Sequence, residues 1–162
     1  MVFQSGALFD SLTVGENVAF ALETRAGYTS GNIRDVVQGL LEMVEIAGCQ
    51  EAFPSELSTG MKRAVAIARA LAAQPEAILY DEPTTMVDPP MSAHIGDLIR
   101  RLKEQMHFTS VVVTHDLQLL RKVADSVVFL DEGRVIFFGP LAELERAGHP
   151  HIQEFLRLDR FQ

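Results

Sequence analysis

The chain has 162 residues, enough for one domain that buries roughly 70% of the surface its unfolded form would expose. With 14 Lys+Arg against 22 Asp+Glu, the formal net charge of −8 disfavours an extended nucleic-acid surface, and a composition 48% hydrophobic and 22% charged excludes a disordered or fibrous chain. The single cysteine, Cys49, cannot form an internal disulfide, and the sequence opens without a basic-then-apolar leader, so a reducing cytosolic setting is expected. No stretch approaches the ~18 to 20 apolar residues of a bilayer span, because Arg69 and Glu76 interrupt the most apolar region.

In chain order, MVFQ reads as the end of a strand and SGALFDSL as a loop. Thr13 and Glu16 have the spacing of a capping box and predict a short helix through about Ala21. RAGYTSGN reads as a turn-rich connection. From Ile33, the set Ile33, Val36, Val37, Leu40, Leu41 and Val44 follows the 3.6-residue period until Gly48. Ser58 is a good N-cap for a helix carrying Met61, Val65, Ala68 and Leu71 and ending before Pro75. AILY then predicts a buried strand and PTTMVDPP a loop forced by three prolines. The next helix places Ile95, Leu98, Ile99, Leu102 and Met106 inward. SVVVT lacks alternation, so both its faces are expected to be covered, as in a parallel sheet. DLQLLRKVA returns as helix, SVVFLDEGRVIFFG as a hairpin around Asp131, Glu132 and Gly133, and the tail from Leu141 as helix broken near Gly148 and Pro150. Alternating strands and helices argue for an α/β layer fold.

Three features carry chemistry. Asp81 and Glu82 stand together at the end of an apolar strand; taken alone, such acids are usually solvated turn residues. Ser58, Thr59 and Gly60 stand at a helix start, where free N–H groups and the helix dipole attract phosphate, although an ordinary cap would look the same. His115 ends a second apolar strand, where a lone histidine is more often structural. In open α/β sheets, however, ligands gather beyond the carboxyl ends of the strands, and Asp81, Glu82 and His115 would all arrive there.

With these residues in view the sequence resembles the nucleotide-binding subunit of ATP-binding-cassette transporters. Gln4 in MVFQ matches the family's Q-loop, LSTGM its signature, ILYDEP its Walker B strand with the following glutamate, MVDP its D-loop and VVVTHD its H-loop, in the family order. FQSGALFDSLTVGENVAF, PSELSTGMKRAVAIARAL and PHIQEFL are most similar to the Mla-type branch serving phospholipid trafficking and solvent tolerance. The resemblance implies an incomplete P-loop NTPase: a mainly parallel sheet with a helical signature subdomain over about 13–73, a Walker B and H-loop core over about 74–140, and carboxyl-terminal helices over about 141–162. It implies ATP and Mg²⁺ as cofactors. Asp81 and Gln4 would serve the metal, Glu82 would orient or deprotonate the attacking water, and His115 would contact the γ-phosphate. Ser58, Thr59 and Gly60 would cap nucleotide held by a second ATP-binding subunit, arranged head to tail, with Asp88 at the seam. A transmembrane permease subunit would be the other partner, nucleic acid would not, and the location would be the cytoplasmic face of the membrane.

The 162 residues contain no GxxxxGK[ST] segment, the loop whose N–H groups and lysine cradle phosphates. The chain thus resembles the carboxyl-terminal two thirds of a cassette, and the isolated chain is expected neither to bind ATP tightly nor to hydrolyse it. The strand next to Walker B would be missing, so an exposed sheet edge is expected to invite a non-native oligomer. Thr59 stands where the usual signature has glycine, and TTMVDPP replaces a glycine-leucine before Asp88. A noncatalytic module that docks on a permease or on a complete cassette partner is the alternative. A third class, the DNA-repair and chromosome-structure ATPases, is disfavoured because no heptad tract separates Ser58 from Asp81. Cys49, His94, His107, His149 and His151 read as structural, and Lys62, Arg63 and Arg69 as a solvated helix face partly turned to phosphate.

Overall fold

The computed structural model describes residues 1–23 and 30–158, and the chain divides into two units, Met1–His115 and Asp116–Gln162. The first is organised on a parallel pair, β1 (Ala77–Asp81) and β2 (Thr109–Val113), with Ala77 opposite Thr109 and Asp81 opposite Val113. Val2 forms a parallel bridge with Tyr80: its N–H donates to the Leu79 carbonyl at 2.8 Å and its carbonyl accepts from the Asp81 N–H at 2.9 Å. MVFQ is therefore a strand end reduced to one bridge. Ile78 and Tyr80 are buried, whereas Val111 and Val113 are 51% and 50% exposed. The expectation that both faces of SVVVT are covered is corrected. Strand side chains alternate between faces, and only the face carrying Ile78 and Tyr80 is packed within this unit.

Helices α1 (Val14–Glu23), α2 (Ser30–Met43) and α3 (Thr59–Ala72) form a layer around Val14, Val18, Leu22, Leu41, Val44, Val65, Ile67 and Leu71. The capping box of α1 is present: Thr13 N–H donates to Glu16 Oε2 at 2.7 Å and Glu16 N–H to Thr13 Oγ1 at 3.2 Å. Ser30, Gly31 and Asn32, expected in a turn, belong to α2; residues 25–29 of that expected connection lie outside the described residues. Ser58 Oγ caps α3 by accepting from Met61 N–H at 3.2 Å.

Helix α4 (Pro89–Met106) corrects the expected proline loop, since Pro89 and Pro90 open the helix behind the N-cap Asp88. A first helical turn needs no N–H partner, and proline's fixed φ suits that position. Ile95, Leu98, Ile99 and Leu102 are buried as the periodicity requires, but Met106, in the last turn before the left-handed C-cap His107, is 40% exposed and corrects the expected inward position.

In the second unit α5 (Leu117–Val123) is capped by Asp116, whose Oδ1 accepts from Gln118 and Leu119 N–H groups. Strands β3 (Ser126–Asp131) and β4 (Arg134–Pro140) form the expected hairpin, turning through Glu132 (φ 45°) and Gly133 (φ 75°). Short α6 (Leu141–Leu144) and α7 (Pro150–Leu158) close a small core of Val127, Leu144 and Ile152. Residues 159–162 of the expected helical tail lie outside the described residues.

Candidate functional site

Because β1 and β2 are parallel, their carboxyl ends deliver Asp81, Glu82 and His115 to one edge. The ladder continues one step past β1, with Glu82 N–H donating to the Val113 carbonyl at 2.9 Å. Glu82 then takes a left-handed backbone, φ 45°, a conformation that costs a β-carbon-bearing residue roughly 1–2 kcal/mol. Its carboxylate is held at both oxygens: Thr85 Oγ1 donates to Oε2 at 3.1 Å, and His115 Nδ1 lies 2.9 Å from Oε1. The His115 side chain is 71% exposed while Glu82 is 21% exposed, so the imidazole meets solvent and the acid is sheltered behind it. An acid held at both oxygens beside a solvent-exposed imidazole is an arrangement suited to general acid–base chemistry.

Beside this pair a cleft of ≈ 510 Å³ is lined by Phe3, Gln4, Ser5, Thr59, Lys62, Arg63, Asp81 and Met86. Gln4, Thr59 and Asp81 therefore share one space. Among the described residues no group of three or more His, Cys, Asp or Glu could hold a metal by itself. One carboxylate and one carboxamide oxygen facing a cleft nevertheless fit Mg²⁺, which keeps most of its water and takes its remaining ligands from phosphate.

Ser58, Gly60 and Asp88 are not among the lining residues. Ser58 is engaged as the cap of α3, and Asp88 Oδ1 accepts from Met91 N–H at 2.9 Å as the cap of α4. Gly60 is buried against the Met91 side chain rather than standing open. Lys62 lines the cleft.

Three residues that organise this region were missed or misread. Arg63 and Arg69 do not form a solvated face. Arg63 is 4% exposed, and its Nη1 and Nη2 donate to the carbonyls of Phe3 (3.3 Å) and Thr85 (3.2 Å). Arg69 donates to the carbonyls of Ala7 (2.8 Å) and Gly6 (3.0 Å), and its guanidinium lies 5.7 Å from the Phe9 ring centroid. Burial depresses the pKa of both guanidinium groups. Asn17, fully buried, accepts from Phe9 N–H at 2.8 Å and donates to the Phe9, Leu12 and Thr13 carbonyls. The segment after Gln4 is thus held by side chains from α1 and α3. The signal available in the sequence was a polar residue amid the buried set of an amphipathic helix: Asn17 between Val14 and Val18, and Arg63 beside Ala64 and Ile67.

Comparison with known proteins shows which family the chain is similar to. Residues 1–85 match the family described as ABC transporter. The chain is 40% identical over 156 residues to the sulfate/thiosulfate import ATP-binding protein CysA of Synechococcus elongatus, covering 96% of this chain and 45% of that protein. It is 39% identical over 160 residues to the methionine import ATP-binding protein MetN of Staphylococcus haemolyticus, covering 98% and 47%. It is 35% identical over 156 residues to the probable ribonucleotide transport ATP-binding protein mkl of Mycobacterium leprae, covering 96% and 45%. Among solved structures it is similar to the dimeric post-hydrolysis state of the ATP-binding cassette MJ0796 bound to ADP and Pi, with a TM-score of 0.77, 36% identity, and 86% and 61% of the two chains covered. The chain spans about half the length of the curated relatives it matches.

Proposed function

The chain belongs to the ABC transporter family, and we propose that it is the Q-loop-to-carboxyl-terminal part of an ATP-binding, ATP-hydrolysing subunit that couples energy to transport. The observation that carries this reading is the Glu82–His115 contact at the strand edge, beside a cleft that Gln4 and Asp81 line together.

Asp81 and Gln4 would hold Mg²⁺, which when bound neutralises phosphate charge as the γ-phosphoryl group transfers. Glu82, kept in one direction by Thr85 and His115, orients the attacking water and accepts its proton. His115 steadies that carboxylate and contacts the phosphate. Ser58, Thr59 and Gly60 cap nucleotide on a second ATP-binding subunit, with the Thr59 β-carbon and the Met91 contact of Gly60 both narrowing the approach. Asp88 lies at the seam between the two subunits. No helix among the described residues is long and apolar enough to cross a membrane. From the family we infer docking on a transmembrane permease subunit at the cytoplasmic face. The transported solute we assign to the lipid or hydrophobic class of the Mla-type branch, on the wording of FQSGALFDSLTVGENVAF.

Since no GxxxxGK[ST] loop occurs in these residues, the purified chain should release no phosphate from MgATP. Supplying a GxxxxGK[ST]-bearing amino-terminal portion joined to this chain, together with a complete cassette partner, should raise phosphate release above the partner's own rate, and Glu82→Gln in this chain should remove most of the increment. The noncatalytic docking module is the second reading, favoured by the open face of Leu79, Val111 and Val113. It predicts an increment that survives Glu82→Gln, and self-association of the isolated chain visible in light scattering. No increment would sink both.

A further inference from the structure

The functional reading leaves unexplained why a guanidinium is buried beside the cleft. We propose that Arg63 is the positioning residue that sets the Gln4 segment and the Glu82 loop in register on the start of α3. Its two terminal nitrogens each take one carbonyl, Phe3 at 60 positions' separation in sequence and Thr85 at 22. Phe3 immediately precedes Gln4. Thr85, in turn, donates its hydroxyl to Glu82 Oε2, whose other oxygen meets His115. Thr59, one turn upstream of Arg63, lines the same cleft. One side chain therefore joins three segments that must act together.

The energetics argue for position rather than stability. Arg63 has no ion-pair partner among the described residues, and its buried Nε has no hydrogen-bond partner. The desolvation cost of a buried cation with one donor unpaired offsets much of what its two carbonyl hydrogen bonds contribute. What an apolar residue cannot supply is a planar fork reaching two carbonyls, and lysine, with one nitrogen, cannot supply it either. The catalytic consequence rests on the reading of Glu82 as the group that handles the attacking water.

The test uses the nucleotide-free chain, so a failure of the ATPase reading leaves it standing and its own failure is separate. It compares Arg63→Met, Arg63→Lys and Thr85→Val. Two amides report the two segments: Gly6 N–H, bonded to the Phe3 carbonyl, and Thr85 N–H, bonded to the Glu82 carbonyl. Arg63→Met should leave the thermal midpoint unchanged or raised, while both amides exchange about tenfold faster, the factor expected for losing one charged hydrogen bond. The ¹⁵N resonance of His115 Nδ1 should move in Arg63→Met and in Thr85→Val, and the double variant should move it no further. Arg63→Lys should restore protection at no more than one of the two amides. If Arg63→Met does not fold, Arg63→Lys and Thr85→Val carry the same exchange and resonance readings. Unchanged exchange at both amides, an unmoved His115 resonance, or a lowered midpoint with faster exchange throughout α3 would overturn the proposal.

Discussion

The Met91 thioether fills the space into which a β-carbon on Gly60 would project. Asp88 fixes Met91 there by accepting its N–H, so the first turns of α3 and α4 are locked by one glycine and one flexible side chain. Gly60→Ala should cost about 1–2 kcal/mol through overpacking, measured by urea denaturation. Because the obstacle is side chain and not backbone, Met91→Ala should cancel most of that cost in the double variant. Strictly additive losses would show that the two positions are uncoupled.

Met86 sits at φ 62° and is 87% exposed. It therefore bears a left-handed penalty and contributes little packing. Met86→Gly should stabilise the chain by about 0.5–1 kcal/mol, the relief of the β-carbon clash exceeding the extra entropy of glycine in the unfolded state. A fall in the urea midpoint would mean that the side chain packs in solution.

Tyr80 is fully buried on β1, its hydroxyl has no hydrogen-bond partner, and burial pushes its pKa well above the ordinary range. Removing an unpaired buried hydroxyl removes a desolvation cost, so Tyr80→Phe should stabilise by about 1 kcal/mol in chemical denaturation. Destabilisation of that size would reveal an ordered water on the hydroxyl.

Two exposed ion pairs give opposite pH dependence. The Arg101 guanidinium, which also donates to the Met43 carbonyl, hydrogen-bonds Glu45 and holds its carboxyl below the ordinary value of 4.5; His94 Nε2, 3.4 Å away, adds to this. That contribution is present above pH 4.5 and is lost as pH falls through the lowered value. His151 is held above 6.5 by its hydrogen bond to Asp131, with Glu154 and Glu132 assisting. Its contribution is complete below pH 6.5 and disappears as pH rises through the raised value. Denaturation midpoints against pH should show a shallower acid-side slope in Glu45→Gln and a shallower slope above neutrality in His151→Gln. Unchanged slopes would show that solvent screens both pairs completely.

Much of this arrangement was legible in the sequence because it depends on local rules. The Thr13–Glu16 box, the Ser58 cap, the buried stripe of α4 and the turn at Glu132–Gly133 need only neighbours within a few residues. Parallel pairing of two apolar strands was enough to send Asp81, Glu82 and His115 to a common edge. What stayed hidden depends on partners remote in the chain. Arg63 and Arg69 look like surface charges until Phe3, Thr85, Gly6 and Ala7 turn their carbonyls inward. Pro89 and Pro90 read as loop because proline breaks a helix interior but opens a first turn equally well.

Spacing and residue type alone determined the buried stripes of the helices, the strand pair and the residues collected at its edge, because a period, a cap and a strand direction are written in consecutive residues. Only the tertiary structure decided that Gly60 packs on a methionine, that β2 keeps one face open, and that a buried arginine binds two loops. Those outcomes are set by which distant backbone groups lack a partner and which side chain is long enough to reach them.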